Sequence, residues 1–176
     1  MKNKEQLYYA CSEIDGLHFK IFTSHLGIRS IFINKKDALL KSFDAIKLHP
    51  DDPYLYNIFL QLEQYLTGNR KEFKVPLDIK GSDFQKNVWK ELQKIPYGKT
   101  VSYKKIAEKV GGKTYVRAVG RANSQNPTPI VIPCHRVINT NGKIGGYSLG
   151  LHLKEKLLEL EGSLSMELFG LSSTDS

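Results

Sequence analysis

The sequence predicts an α+β protein in two parts: a strand-rich N-terminal part carrying one long helix, then a mainly helical C-terminal part. Three observations carry this expectation. Residues 1–34 hold three short runs rich in Tyr, Phe and Ile, separated by turn residues. Residues 52–68 repeat apolar side chains at helical spacing. From Gly81 onward, capping residues and glycine-containing turns mark off a series of short helices.

The three runs are residues 7–11, 16–23 and 27–33, a pattern that suggests an antiparallel meander. Glu13, Asp15 and Gly16 supply the first turn, and Ser24, His25 and Gly27 the second. Residues 35–50 are polar and mixed, with a helical turn expected around residues 37–43. Asp52 followed by Pro53 is a helix start, an N-cap side chain and then proline in the first turn. Leu55, Ile58, Phe59, Leu62 and Leu66 form its apolar stripe, and Gly68 stops it. Residues 73–79 are extended and contain Pro76, which suits an edge strand or a connector.

The character of the chain changes at Gly81. Ser82 and Gln85 form a capping box for a helix whose face is Phe84, Val88, Trp89 and Leu92, ended by Pro96, Tyr97 and Gly98. Ser102 caps a second helix through Val110, with Ile106, Ala107 and Val110 inward. Gly111, Gly112 and Lys113 turn the chain, and Thr114 is the expected cap of a third helix over residues 115–123. Two short helices joined by a glycine-containing turn are the helix-turn-helix pattern, although an ordinary helical hairpin has the same spacing. The third helix combines Arg117 and Arg121 with Ala118, Gly120 and Ala122. Glycine costs a helix about 1 kcal/mol relative to alanine. Small residues do let another backbone approach closely, which suits packing on a sugar-phosphate backbone better than reading base edges. Residues 139–142 are a turn, residues 145–150 a glycine-rich loop too irregular for a phosphate motif, and residues 151–161 an amphipathic helix with Gly162 as C-cap. The domains expected are 1–80 and 81–165, with 166–176 a frayed tail.

Composition bounds the function. At 176 residues, 40% hydrophobic and 25% charged, the chain has ordinary globular character. No apolar run approaches the roughly 20 residues of a membrane span, and no signal-like segment follows the N-terminus. The two cysteines, Cys11 and Cys134, make no disulfide framework, so a cytoplasmic setting is expected, or a nuclear one in a eukaryote. Cys11, His18, His25 and His49 match no compact zinc spacing. The net charge of +8 is concentrated: residues 86–143 hold 12 Lys/Arg against 2 Asp/Glu, a net of +10. Basic segments are commonly solubilising surface. On a helix-turn-helix pattern, this one reads as a phosphate-binding face.

Three β-branched apolar residues, Ile130 to Ile132, precede Pro133, and then a thiol, an imidazole and a guanidinium follow at Cys134, His135 and Arg136. A free thiol has a pKa of about 8.5 and reacts as the thiolate. Cationic neighbours are one way to shift that balance. Taken alone, the run reads more readily as an inert core cysteine beside a solvated arginine, because cysteine signatures do not transfer between families by themselves.

Ile132-Pro133-Cys134-His135-Arg136-Val137 resembles the active-site signature of the alkylguanine-DNA alkyltransferases, also called methylated-DNA–protein-cysteine methyltransferases. Phe84-Gln85, Val88-Trp89, Ile95-Pro96-Tyr97-Gly98, Ser102-Tyr103, Arg117-Ala118-Val119-Gly120, Asn126-Pro127, Gly146-Tyr147-Ser148 and the run from Lys154-Glu155 to Glu161-Gly162 fall in family order and spacing. The likeness covers roughly residues 80–162. It implies a ribonuclease-H-like N-terminal domain before a winged-helix-like C-terminal domain. The implied reaction is irreversible transfer of an alkyl group from O6-alkylguanine, and from O4-alkylthymine, in DNA to the protein's own cysteine. No cofactor or metal is implied, and each molecule acts once. The partner implied is double-stranded DNA bound from the minor-groove side, and monomeric action is the simpler expectation for a single-use acceptor.

By the resemblance, Cys134 is the nucleophile, His135 its base through a water, and Glu161 the group orienting His135. Tyr103 donates a proton to the departing guanine, Tyr147 lines the pocket, and the backbone at Val137 and Ser148 holds the base edge. Arg117 replaces the extruded nucleotide in the stack, and Asn126 ties the recognition helix to the Cys134 segment. Ala118, Ala122, Tyr103 and Arg136 complete the DNA-contact set. Three other readings stay open: an alkyltransferase-like binding module, which would lack the nucleophile; a winged-helix regulator whose thiol senses alkylation or oxidation; and a cysteine hydrolase, which would need an oxyanion site.

Overall fold

The computed structural model describes residues 5–35 and 44–163, and the chain divides into two compact units, Met1–Lys80 and Gly81–Ser176. The helical turn expected at 37–43 and the tail expected at 166–176 lie outside the described residues.

In the first unit the meander forms as expected. Strands β1 (Leu7–Ile14), β2 (Leu17–Ser24) and β3 (Gly27–Ile33) pair antiparallel, in registers such as Ala10 with Ile21 and Ile21 with Ile31. The β1–β2 turn is the two-residue Asp15-Gly16, both at positive φ (53° and 71°), as a tight hairpin demands. A fourth strand, β4 (Ala45–Lys47), adds in parallel to the outer side of β1 and gives the sheet order β3-β2-β1-β4. Helix α1 (Pro53–Leu66) buries Leu55, Ile58, Phe59, Leu62 and Tyr65 in the same core as Phe19, Ile21 and Ile31. The segment around Pro76 is a connector beside β3: Ile28 N–H donates to the Pro76 carbonyl at 2.9 Å, and Asp78 N–H to the Ile28 carbonyl at 2.9 Å. Gly27 permits this approach, since a Cβ there would sit 2.5 Å from the Pro76 oxygen.

The second unit packs helices α2 (Asp83–Gln93), α3 (Tyr103–Val110) and α4 (Val116–Ser124) together. The Ser82–Gln85 capping box is present, and the Ser102 hydroxyl accepts from Lys105 N–H at the start of α3. Thr114 does not cap the next helix. A 3-10 turn over Lys113–Tyr115 intervenes and α4 begins at Val116. Phe84 is only half-buried, against the ring of Tyr115, while Val88, Trp89 and Leu92 reach the core. Trp89 lies across α4 and its indole N–H donates to the Ala122 carbonyl at 2.8 Å. Losing that ring to alanine would cost about 3–5 kcal/mol. Two-residue strands β5 (Val101–Ser102) and β6 (Val137–Ile138) pair in parallel, and α5 (Leu151–Leu160) closes the unit through Leu153, Leu157 and Leu158.

Candidate active site

The site is assembled on the turn that precedes Cys134. The Asn126 side chain clamps this turn from both ends: its amide donates to the Ile132 carbonyl at 2.8 Å, and its oxygen accepts from Thr128 N–H at 3.1 Å. Ile132 N–H closes the loop onto the Thr128 carbonyl at 2.9 Å. Between them Ile130 sits buried at φ +74°, a left-handed conformation that a β-branched residue adopts only under strain. Hydrogen bonds on either side hold it there. The chain then leaves Pro133 in a single 3-10 turn over Cys134–Arg136. Val137 pairs with Val101 and Ile138 with Ser102, which brings the first residue of α3, Tyr103, to the thiol.

Cys134 is 2% exposed. Its thiol donates to the Tyr147 hydroxyl across 3.6 Å. Burial pushes the thiol pKa up. Hydrogen bonds from Asn126 and Tyr147 and the charge of Lys154 work against that shift without reversing it. The resting group is therefore a neutral thiol that needs a base.

His135 and Glu161 are wholly buried, with His135 Nε2 3.0 Å from Glu161 Oε1. Burial lowers the histidine pKa, opposed by Glu161, so the imidazole rests neutral and able to take a proton. Glu161 is the C-cap of α5, where the helix dipole disfavours an anion. Its compensation is local. Arg136 Nε donates to both carboxylate oxygens (3.1 and 2.9 Å), Arg136 NH2 donates to Oε1 at 2.8 Å, and Gly98 N–H donates to Oε2 at 3.2 Å.

Two expectations are corrected here. Arg136 is not a surface contact: it is 6% exposed, and its remaining guanidinium nitrogen donates to the Ile95 carbonyl at 2.6 Å. Spent on Glu161, it does not activate the thiol either. Ala122 is 2% exposed beneath Trp89, so it packs inward and offers no surface to DNA. The other residues singled out in the sequence fall in two groups. Tyr103, Asn126, Val137 and Tyr147 gather around or beside Cys134, while Arg117 and Ala118 are exposed on α4, and Ser148 is exposed on the loop before α5. All the lysines of α2 and α3, and Arg121 of α4, are also exposed.

Sequence reasoning missed three members of the site. Lys154 is completely buried, and its ammonium donates to the carbonyls of Val137 (2.6 Å), Ile144 (2.6 Å) and Gly146 (3.5 Å). It thereby straps the glycine-rich loop carrying Tyr147 to the strand after the nucleophile, and burial brings its pKa down to about 8. Asn123, 4% exposed, donates to the Cys134 carbonyl at 3.4 Å. Tyr97 donates to the Leu160 carbonyl at 3.0 Å and pins the end of α5 next to Glu161. The signal for the first two was helical spacing. Lys154 shares the face of Leu157, Leu158 and Glu161, and Asn123 shares the face of Val119 and Ala122.

Fold and site together define a protein with a neutral buried thiol, a buried histidine–carboxylate pair behind it, and an exposed basic helix in the same unit. Comparison with known proteins agrees. Residues 83–163 match the family described as 6-O-methylguanine DNA methyltransferase, DNA binding domain, and residues 18–79 its ribonuclease-like domain. A methylated-DNA–protein-cysteine methyltransferase of Mycobacterium bovis is 40% identical over 154 residues, covering 84% of this chain and 93% of the relative. One from Methanosarcina acetivorans is 53% identical over 103 residues, covering 58% and 66%. The crystal structure of Mycobacterium tuberculosis OGT in complex with DNA superposes with a TM-score of 0.78 at 36% identity, covering 89% of this chain and 93% of that one. The chain belongs to the methylated-DNA–protein-cysteine methyltransferase family.

Proposed function

We propose that this protein repairs alkylated DNA by direct reversal, taking the alkyl group of O6-alkylguanine, and of O4-alkylthymine, onto Cys134 once and irreversibly. The observation that carries this reading is the buried His135–Glu161 pair on the turn that bears the thiol. A neutral thiol shielded from water is useless for solution chemistry but suits a substrate delivered into a pocket with a base behind it. In this scheme His135 removes the thiol proton through a water, and Glu161 stabilises the resulting imidazolium. Sulfur forms its bond to the alkyl carbon as the carbon–oxygen bond breaks. The electron pair returns to the guanine ring, where the Tyr103 proton meets it, and the proton held by His135 restores the tyrosine by way of solvent. The charges balance and no cofactor is required.

A base inside a duplex cannot reach a buried thiol, so it must be rotated out, at a cost of a few kcal/mol of unstacking. We assign Arg117 to fill the gap from the minor-groove side, with Ala118 against the backbone, Tyr147 lining the pocket and the backbone of Val137 and Ser148 on the base edge. The N-terminal unit is the ribonuclease-H-like domain and the C-terminal unit the winged-helix-like one in this reading. The protein acts as a monomer, in the cytoplasm or in a eukaryotic nucleus. The test is to incubate the protein with duplex DNA holding O6-methylguanine and weigh the intact chain. One methyl per molecule is expected, on Cys134, without turnover. Uptake at a normal rate by Cys134→Ser would overturn the assignment.

A further inference from the structure

We propose, on the repair reading above, that the Ile95–Gly98 turn between α2 and β5 is a positioning element of the reaction, with Tyr97 and Gly98 its working residues. It holds the Glu161 carboxylate in the orientation that presents Oε1 to His135. The turn is closed by Lys99 N–H on the Pro96 carbonyl at 3.2 Å, with Gly98 at φ +72° in its third position, where glycine is favoured. Three attachments run from it to the end of α5. Gly98 N–H donates to Glu161 Oε2 at 3.2 Å. The Ile95 carbonyl accepts from Arg136 at 2.6 Å, and the Arg136 guanidinium carbon lies 5.8 Å from the centre of the Tyr97 ring. The Tyr97 hydroxyl donates to the Leu160 carbonyl at 3.0 Å, fixing the backbone that carries Glu161. The fit is close: a Cβ on Gly98 would stand 2.9 Å from the Glu161 carbonyl oxygen.

The two carboxylate oxygens thereby take separate duties. Oε2 accepts from Gly98 N–H and from Arg136 Nε at 2.9 Å, while Oε1 stands 3.0 Å from His135 Nε2 and also accepts from Arg136. A carboxylate at a helix C-terminus is disfavoured by the dipole, so its orientation has to be imposed from outside the helix. The setting of His135 depends on that orientation. Burial, the largest influence, and the cations Arg136 and Lys154 lower its pKa, and Glu161 raises it through its hydrogen bond and its charge. Tyr97, the other titratable group of the turn, is held protonated by burial and by Glu161. Loosening the turn therefore weakens the one influence that strengthens His135 as a base, although Cys134, His135 and Glu161 themselves are unchanged.

The experiment measures the first-order transfer rate of Gly98→Ala and Tyr97→Phe across pH, at saturating duplex DNA containing O6-methylguanine. The rate at which iodoacetamide alkylates Cys134 is followed alongside. Gly98→Ala is expected to slow transfer about 10²-fold, the usual cost of a displacement of about 1 Å at a reacting group, and Tyr97→Phe less. In both, the acid limb of the rate profile should move to lower pH, because His135 loses the influence that raises its pKa. Iodoacetamide alkylation should slow as well, since that reaction also needs the thiolate. In a Glu161→Gln background Gly98→Ala should cost less than about twofold, a small part of the general-base contribution of about 10²–10⁴. A variant that is merely less stable, transferring at the parental rate with the parental pH profile, would overturn the proposal. So would equal losses with and without Glu161, or slowed transfer beside a parental iodoacetamide rate. If Gly98→Ala fails to fold, Tyr97→Phe carries the test by the same criteria. Failure of the parent protein to methylate Cys134 at all would instead sink the repair reading.

Discussion

Each unit of the molecule contains a carboxylate bound by an arginine, and the two clusters put similar parts to different use. In the N-terminal unit Asp78 accepts from Arg29, from the Ser24 hydroxyl at 2.6 Å and from Lys80 at 3.0 Å, while Arg29 also meets Glu5 at 2.7 Å. The cluster fastens the connector before Gly81 to strands β2 and β3. Its two cations are shared between two carboxylates, Asp78 and Glu5, and part of it is open to water. In the C-terminal unit the Glu161 side chain is wholly buried, and its partners include one arginine, one backbone N–H and one imidazole. Arg136 balances the charge. The extra acceptor capacity of the carboxylate then goes to His135, a group whose protonation can change near neutral pH. What separates a fastener from a catalytic device here is the titratable third partner and the complete burial of both side chains in that pair. An Arg–carboxylate pair alone distinguishes nothing.

The comparison is tested hardest at Glu161. Glu161→Gln leaves Arg136 buried without a counter-charge, and breaking one partner of a buried pair costs roughly 3–5 kcal/mol. It also removes the anion behind His135, so the transfer rate should fall by about 10²–10⁴. Urea unfolding and the single-turnover rate are measured on the same preparation. A variant that is destabilised yet transfers at the parental rate would make this cluster a second fastener.

Asp78→Asn is the matching change and should behave oppositely: stability falls by about 1.5–3 kcal/mol, the worth of hydrogen bonds to a charged group, and the transfer rate does not move. Burial opposes ionisation of Asp78, but hydrogen bonds from Ser24, Arg29 and Lys80 outweigh it and hold its pKa well below the usual carboxylate range. A depressed carboxyl pKa contributes stability that is fully present above the unfolded value of about 3.9 and is lost as pH falls through the folded one. Acid unfolding of the parent protein should therefore steepen below about pH 4, and Asp78→Asn should flatten that limb. An unchanged acid limb would show that the cluster contributes nothing at neutral pH.

The two units also differed in how much of them could be read in advance. Local rules exposed the hairpin turn at Asp15-Gly16, the helix begun at Pro53 and the capping box at Ser82, because each is specified by neighbouring residues. Strand β4 was not visible, since three residues of mixed polarity become a strand only by pairing with β1. The same limit governed the site. Cys134 and His135 stood out as neighbours, their roles and Glu161 entered through a resemblance, and the partner that Arg136 would choose is a matter of tertiary packing. From the sequence, an arginine beside a cysteine suggested activation of the thiol. In the structure its fork is turned to a carboxylate 25 residues away. Lys154 entered only within a matched run and without a role, because its carbonyl cage is built by tertiary packing from the strand at Val137 and the loop at Ile144 and Gly146.

The smallest effect expected is at Gly120, where stability and function should part. It lies inside α4, carries no positive φ, and an added Cβ would meet nothing within 4 Å. No contact within the protein requires a glycine there. Helix propensity alone predicts that Gly120→Ala stabilises the fold by roughly 1 kcal/mol. Val119 and Asn123 beside it face the core, but Arg117, Ala118 and Arg121 are exposed. If this face lies against a sugar-phosphate backbone, one methyl group holds the helix away and weakens every phosphate contact together. Gly120→Ala should therefore raise Tm while lowering affinity for duplex DNA severalfold, and leave the iodoacetamide reactivity of Cys134 as it was. A variant that gained stability and bound DNA as well as the parent would move the DNA face off α4. The basic charge of residues 86–143 would then have to act from α2 and α3, whose lysines are equally exposed.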